Sequence, residues 1–492
     1  MEEQCTSHLS FEEKELQLLR SAADKAEKKL GTKVAQAPEV KHIISIVEEF
    51  IRKKKLICYG GTAINNILPE SDQFYQKSVS IPDYDFFSQN ALEDAKELAD
   101  IYVAEGYTDV NAKAGVHYNT FKVFVNFIAV ADVTQLDKVI FKRVLDEAIT
   151  VDKILYAPAN FLRMNMYLEL SRPAGDVSRW DKVYKRLMLL NKNYPMLNER
   201  CHLVNFMRDF HAEQPETVYT LVRNTLIAND VVFIGGFASS LYSRYMRGQK
   251  REQTQHIPDF DVLSLDPEKA ALAVKVTLEA ANFTNVKVAK RPAVGELISE
   301  HFSVSIGKDI VCMLFKPDSC RSFNTIRLDN LTVKVASIDT LLNYFLAFIY
   351  ADQKYYDETA IMCMAQYLFT VQKHNRLKQK GLLRRFSLSC YGESDTKASL
   401  LTKKARVFEE LKHQRHSPEF DRWFLNYNPV TATKAKSSPS RTKTLKKQKQ
   451  SKTSSASPAQ ETKLKSDSPA ITKTRKRKAK PGYINRLFKS LF

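Results

Sequence analysis

IPDYDFFS, residues 81–88, sets Asp83 and Asp85 at i and i+2 inside an apolar run. Residues so spaced leave a strand on the same face, so this stretch holds two carboxylates side by side. Almost the same words return at 257–264 as IPDFDVLS, with Asp259 and Asp261. The likeness extends outward. VKHIISIVEEFIRKKK (40–55) has helical periodicity and runs into the short strand LICYGG; PETVYTLVRNTLIAND (215–230) runs into VVFIGG. Each GG opens another helix-like stretch, and Gly61 to Asp83 spans 22 residues where Gly236 to Asp259 spans 23. Helical segments 91–106 and 267–283 follow, then strand-like runs starting at His117 and His301. One order of elements occurring twice predicts a duplicated α/β unit.

The copies differ at a third position. VFVNFIAVADVT puts Asp132 on a strand 47 residues after Asp85, and pairing His117 with His301 sets Lys316 opposite it in the second copy. Three carboxylates on adjacent strands repel one another and are costly to bury uncompensated. Divalent ions such as Mg²⁺ resolve that conflict by taking carboxylates, phosphate oxygens and water together. Two ions sharing an acid hold an attacking and a leaving oxygen in line. Glycines at a strand-to-helix turn let backbone N–H groups approach phosphate, where the helix N-terminus favours an anion. Gly60 and Gly61 are so placed, and the Thr62 hydroxyl can add one hydrogen bond. A GG turn or a DxD alone is weak; the ordered set is specific.

Charge is uneven along the 492 residues: of the formal +19, the stretch from 431 holds +16, with 18 Lys and Arg against Glu461 and Asp467. That stretch is poor in large apolar residues until YINRLFKSLF (483–492) and is expected to be disordered. It suits polyanion binding by counterion release, or serves as a localisation signal through RKRK (475–478). The closing decapeptide reads as a weak partner motif. No run reaches the length of a membrane span. The acidic, polar start is unlike a secretory signal. Seven scattered cysteines without a CxxC pair read as reduced intracellular thiols. Phe86, Phe87, Phe124 and Phe127 read as core, and His117 and His301 as structural. Ser10 and Glu13 form a capping-box pattern at a helix start.

The GG…DhD…D order resembles the nucleotidyltransferase superfamily of the DNA polymerase beta type. With NFLRMNMYLELSRPAGDVSRWDKVYKRLMLLNKNYP (160–195), YGGTAINN and IPDYDFFS, the chain resembles the poly(A) polymerase catalytic subunits of nucleocytoplasmic large DNA viruses. Those of giant amoebal and African swine fever-like viruses are nearer, poxvirus enzymes more distant, and the likeness covers roughly 40–390. The resemblance implies an α/β (α+β) fold of tandem nucleotidyltransferase domains, the second degenerate, with helical segments and a basic tail. The expected division is an N-terminal helical segment (1–39), a catalytic domain (40–150) and a helical nucleotide- or RNA-binding segment (151–214). A degenerate transferase-like domain (215–390), a connecting region (391–430) and the tail (431–492) follow.

By position, the resemblance makes Asp83, Asp85 and Asp132 catalytic and metal-binding, with two Mg²⁺ or Mn²⁺ ions, and Asp132 the base or orienter for an RNA 3′ hydroxyl. Gly60, Gly61 and Thr62 of the glycine turn would hold the substrate ATP together with Arg172, Arg179 and Lys182, which belong to a basic helix that also carries Arg163, Lys185 and Arg186. Trp180 suits base stacking or the core equally. The implied activity is a polynucleotide adenylyltransferase extending viral mRNA without a template. Addition of U or CCA, or a non-catalytic RNA-binding scaffold, are the alternatives. A homodimer, or pairing with a cap-methyltransferase processivity subunit, and a place in the host cytoplasm, virus factory or virion are likewise implied.

Overall fold

The two sequence copies fold as two mixed sheets with one strand order. The computed structural model describes residues 10–429 apart from 77–78, 80, 197–200, 202–210, 212–213, 246–259, 352–356 and 395. Asp259 and the basic tail expected to be disordered therefore lie outside the described residues.

The first half opens with α1 (Phe11–Ala35) and α2 (Pro38–Lys54). Ser10 Oγ accepts from Glu13 N (3.2 Å) and the Glu13 carboxylate accepts from Ser10 N (2.8 Å), the reciprocal cap anticipated for α1. α2 buries Val40, Ile43, Val47, Phe50 and Ile51 along one stripe and delivers the chain into the core. Then come β1 (Ile57–Tyr59), α3 (Gly60–Ile67), β2 (Tyr84–Ser88), α4 (Ala91–Ala104), β3 (Val110–Ala114), β4 (Thr120–Val125) and β5 (Ile128–Gln135). α5 (Lys138–Asp146), the hairpin β6 (Ile149–Val151) and β7 (Ile154–Tyr156), α6 (Ala159–Leu170) and α7 (Trp180–Asn193) complete it.

The second half repeats the plan with α8 (Pro215–Ala228), β8 (Val232–Ile234), α9 (Gly235–Leu241), β9 (Phe260–Leu263) and α10 (Pro267–Ala280). β10 (Val286–Arg291), β11 (His301–Ile306), β12 (Asp309–Phe315), β13 (Arg321–Leu328), β14 (Leu331–Ala336), α11 (Ile338–Tyr350) and α12 (Glu358–His374) follow. β15 (Cys390–Tyr391), α13 (Lys397–Leu411), α14 (Pro418–Phe424) and β16 (Asn426–Tyr427) end the described chain. The sheets run β16-β3-β4-β5-β2-β1-β7-β6 and β10-β11-β12-β9-β8-β14-β13-β15. Seven strands correspond one to one, with the same parallel and antiparallel neighbours. Each sheet then gains a foreign edge strand: β16 returns from beyond the second half to pair with β3, and β15 pairs with β13.

One hydrophobic core runs through both halves. α6 lies against α11, where Asn343 Nδ2 donates to Met164 O (3.0 Å), and Ser322 N donates to Ser171 O (2.8 Å). Among the described residues no helix is long and apolar enough to cross a membrane.

Several expectations are corrected. Cys201 is bonded to Cys363 and Cys320 to Cys390, with Cα atoms 5.2 Å apart in each pair, while Cys58 and Cys312 are buried thiols. The partners are 162 and 70 residues apart, so only the folded chain brings them together. Residues 160–195 form two helices, since Pro173 and Gly175 break the run between α6 and α7. Phe127 is 81% exposed, because it occupies the left-handed corner (φ +64°) of the β4–β5 hairpin. Phe86 and Phe87 are core and Phe124 is partly buried; His301 is fully buried and stacked on Phe315.

Candidate active site

The acids meet because of strand register. β2 pairs antiparallel with β1, setting Asp85 beside Tyr59, and parallel with β5, setting Asp85 beside Asp132. β5 pairs antiparallel with β4, setting Asp132 beside Lys122. Tyr59, Asp85, Asp132 and Lys122 thus form one row across four strands, and side chains in such a row share a face. Asp83 stands just outside β2 but two residues from Asp85, hence on the same side.

The glycine turn closes against this row. Gly60 has φ +73°, and a Cβ there would lie 2.3 Å from Asp85 Oδ2. Only glycine satisfies both demands. Thr62, expected to bond phosphate, is buried and donates its hydroxyl to Asp83 O (2.7 Å), bracing the acidic segment from beneath. Asn65, on the same helix, accepts from the amides of Phe74 (2.9 Å) and Tyr75 (2.7 Å) and fixes the loop that leads to Asp83.

Enclosure raises all three carboxyl groups, and repulsion from neighbouring acids adds to it at Asp83 and Asp85. Asp85, half-buried, is held well above the usual range by burial, Asp83 and Asp132, against the pull of Lys122 and Arg179. Asp83 keeps an exposed edge, yet burial and Asp132 push it up to about 6. Asp132 is raised by burial, opposed by Lys122, whose Nζ is 2.6 Å from Oδ2. Its other oxygen, Oδ1, is buried without a hydrogen-bond partner. Among the described residues no three ligating side chains already close on one point. Even so, a repelling carboxylate set with an orphaned oxygen is a donor set that a hard divalent cation fits.

This has a pH consequence. A carboxyl whose pKa is higher in the folded than in the unfolded chain binds its proton more tightly when folded. Its contribution to stability is then fully present at low pH and declines as pH rises through the window from about 4 to about 6. In chelator, the melting-temperature difference between wild type and Asp83→Asn should therefore move against wild type across that window. Mg²⁺ at neutral pH should reverse the movement. A difference that stays flat with pH would count against the repulsion.

The basic residues divide. Arg186 on α7 is buried, its guanidinium 4.8 Å from the Phe74 ring and 5.3 Å from Tyr75, with the Tyr75 hydroxyl as hydrogen-bond partner. Its Nη1 would lie 2.8 Å from a Cβ at Gly61, so it overhangs the glycine turn. Arg179 is exposed, 3.4 Å from Glu169 Oε1, and acts electrostatically on Asp85. Lys182 is held below its ordinary range by burial and by repulsion from Arg186 and Arg179. Arg172 acts on Glu169 and on Asp318 of the second half, at the junction between the sheets. Lys185, one 100° step round α7 from the buried Arg186, is exposed and pairs with Asp181 (2.7 Å). Arg163 is a core residue bonded to Asn191 Oδ1 (2.7 Å), Asn160 and the Tyr194 carbonyl. Trp180 donates Nε1 to Glu169 O (3.0 Å) and packs on Phe386.

Lys122 and Glu169 escaped the sequence reading. Lys122 lies in no motif, and the alternation of β4 around it is its only signal; Glu169 lies within the 160–195 stretch but is an acid among the basic residues that drew attention there.

The second copy keeps the turn and loses the row. Gly235 has φ +69° and a Cβ there would lie 2.5 Å from Asp261 Oδ2. Asp261 is set beside Met313, and Met313 beside Ser303. The expectation that Lys316 replaces the third acid is therefore corrected: Lys316 lies past the end of β12, exposed, and Met313 holds that position. Phe237 follows the glycines where Thr62 does in the first copy, and packs with Phe233, Phe260 and Tyr219.

Tandem mixed sheets of this order, one of them carrying an acidic row beside a glycine turn, make a nucleotidyltransferase-like fold. The crystal structure of the Megavirus polyadenylate synthase matches it with a TM-score of 0.71 at 18% identity, covering 88% of each chain. Residues 45–176 match the family model for the Poly(A) polymerase catalytic subunit. Candidate poly(A) polymerase catalytic subunits of African swine fever virus (34% identity over 168 residues) and Acanthamoeba polyphaga mimivirus (30% over 164) are similar to it. Those matches take in 33% and 32% of this chain and only 35% and 27% of the relatives' lengths. The sequence likeness is thus narrower than the stretch 40–390, whereas the likeness of fold is not.

Proposed function

We propose that this chain is a template-independent polyadenylate polymerase, transferring AMP from ATP to an RNA 3′ end with two divalent ions, Mg²⁺ or Mn²⁺. The observation that carries this reading is the row Asp85–Asp132 set against the Gly60 turn, inside the segment that matches the catalytic-subunit family. Asp83, Asp85 and Asp132 would hold the ions, which supply charge neutralisation at the reacting phosphorus. The Gly60 and Gly61 amides and Arg186 face the place where a polyphosphate would lie, and Arg179 and Lys182 flank it. Asp132, raised by its surroundings, is suited to take the proton of the primer hydroxyl. The O3′–Pα bond forms as the bond from Pα to the β-phosphate bridging oxygen breaks, and pyrophosphate leaves. RNA and ATP are the partners on this reading.

Incubation with an RNA primer, Mg²⁺ or Mn²⁺, and each nucleoside triphosphate in turn tests it. Extension with ATP at least about tenfold above the other three is expected, a discrimination of roughly 1.4 kcal/mol. Preference for UTP or CTP would replace the adenylate assignment by another terminal ribonucleotidyl transfer. RNA binding without any extension would replace it by a scaffold.

A further inference from the structure

Lys122 is the one member of the acidic row that no motif marks. It stands directly across from Asp132 in the β4–β5 register, with Nζ 2.6 Å from Oδ2. Both side chains are largely buried, 24% and 15% exposed. In the second copy the two corresponding positions carry Ser303 and Met313, which face each other in the same antiparallel register. The acid and the lysine have been replaced together, while the glycine turn and Asp261 persist. A lysine serving only the sheet would have no reason to change with its carboxylate. A lysine serving the carboxylate would.

We propose that Lys122 is a positioning residue that pins Asp132 while the site is empty and competes with a divalent ion for the same carboxylate. This rests on the reading of Asp83, Asp85 and Asp132 as ion ligands. With Lys122 on Oδ2, the buried and unpartnered Oδ1 is the oxygen left to an incoming ion. Full engagement of Asp132 then requires the ammonium to yield. The lysine keeps the strand pair and the carboxylate in register until the ion arrives, and it makes ion binding weaker than the three acids alone would allow. Two unit charges about 4 Å apart at a protein surface interact strongly enough to change an affinity by tenfold or more.

The test compares wild type, Lys122→Met, Lys122→Ser, Lys122→Arg and the double variant Lys122→Ser/Asp132→Met. Mn²⁺ binding is read by electron paramagnetic resonance, and melting temperature is read with and without Mn²⁺. Lys122→Met should bind Mn²⁺ about tenfold more tightly, melt lower than wild type in chelator, and recover that loss with Mn²⁺. In primer extension its kcat should fall about tenfold or more with KM for ATP within twofold, and Lys122→Arg should restore most of it. The double variant, carrying the second copy's pair, should melt above Lys122→Ser alone. Unchanged or weaker Mn²⁺ binding in a folded Lys122→Met protein would overturn the proposal. So would a double variant no more stable than the single, which also decides the matter if Lys122→Met does not fold. Absence of Mn²⁺ binding in wild type would instead remove the ion-site reading beneath it. Ion binding without primer extension would remove only the polymerase assignment.

Discussion

Asp83→Ala combined with Asp85→Ala should lower primer extension by about 10³-fold or more while raising the melting temperature of the ion-free protein. The two effects have one origin. Three carboxylates are held together against desolvation and mutual repulsion, so removing two relieves an unfavourable interaction in the empty fold. The same removal deletes the groups that would hold the charge developing on the transferred phosphate, an effect of several kcal/mol in activation free energy. Extension assays and thermal melts in chelator measure both quantities on one preparation. Asp261→Asn is the natural contrast: its row continues into Met313 and Ser303, so turnover of the folded variant should stay within about threefold of wild type. A melting temperature that fell in the double-alanine protein would mean the acids are compensated in a way this geometry does not contain.

Gly60→Ala should be nearly as damaging by a different route. A methyl group at φ +73°, 2.3 Å from Asp85 Oδ2, must either unwind the turn or push the carboxylate aside. The backbone cost is about 1–2 kcal/mol, and a displacement near 1 Å at a reacting centre costs about 10²-fold in rate. Gly235→Ala supplies the matched control, since φ is +69° and the clash with Asp261 Oδ2 is 2.5 Å. Denaturant midpoints should drop similarly in the two variants, while kcat collapses only in Gly60→Ala. Equal losses of kcat per folded molecule would assign catalytic weight to the second copy and sink the reading of it as architecture.

Much of this was legible because the chemistry sits in short, local words. IPDYDFFS carries both its strand and its two acids, and GG marks the turn whatever the fold around it does. The order of elements repeated closely enough to expose the duplication. What was not legible depends on register. His117 lies in the turn before β4, whereas His301 is the first residue of β11, so matching the histidines shifts the second copy by three residues and promotes Lys316 over Met313. Lys122 and Asp132 lie ten residues apart in sequence and meet only through a bulged hairpin. Arg186 and Lys185 are neighbours in sequence with opposite fates, decided by the 100° step of a helix and by what packs on each side. The cysteine pairs needed the whole fold.

The return of β16 to the first sheet has a consequence for how the chain is made. β3 is complete at Ala114, yet the strand that covers its outer edge comes from Asn426 and Tyr427, about 310 residues later. With Leu425 O accepting from Ala114 N (2.9 Å), Tyr427 bonded to Asp100 (2.8 Å) and Asp421 to Lys96 (3.1 Å), the last described segment fastens onto some of the earliest. A nascent chain therefore carries the acidic sheet with an open edge through most of its synthesis, a template for unwanted pairing between neighbouring ribosomes' products. That edge can close only once residues 421–427 have been made, long after the rest of the first sheet is complete.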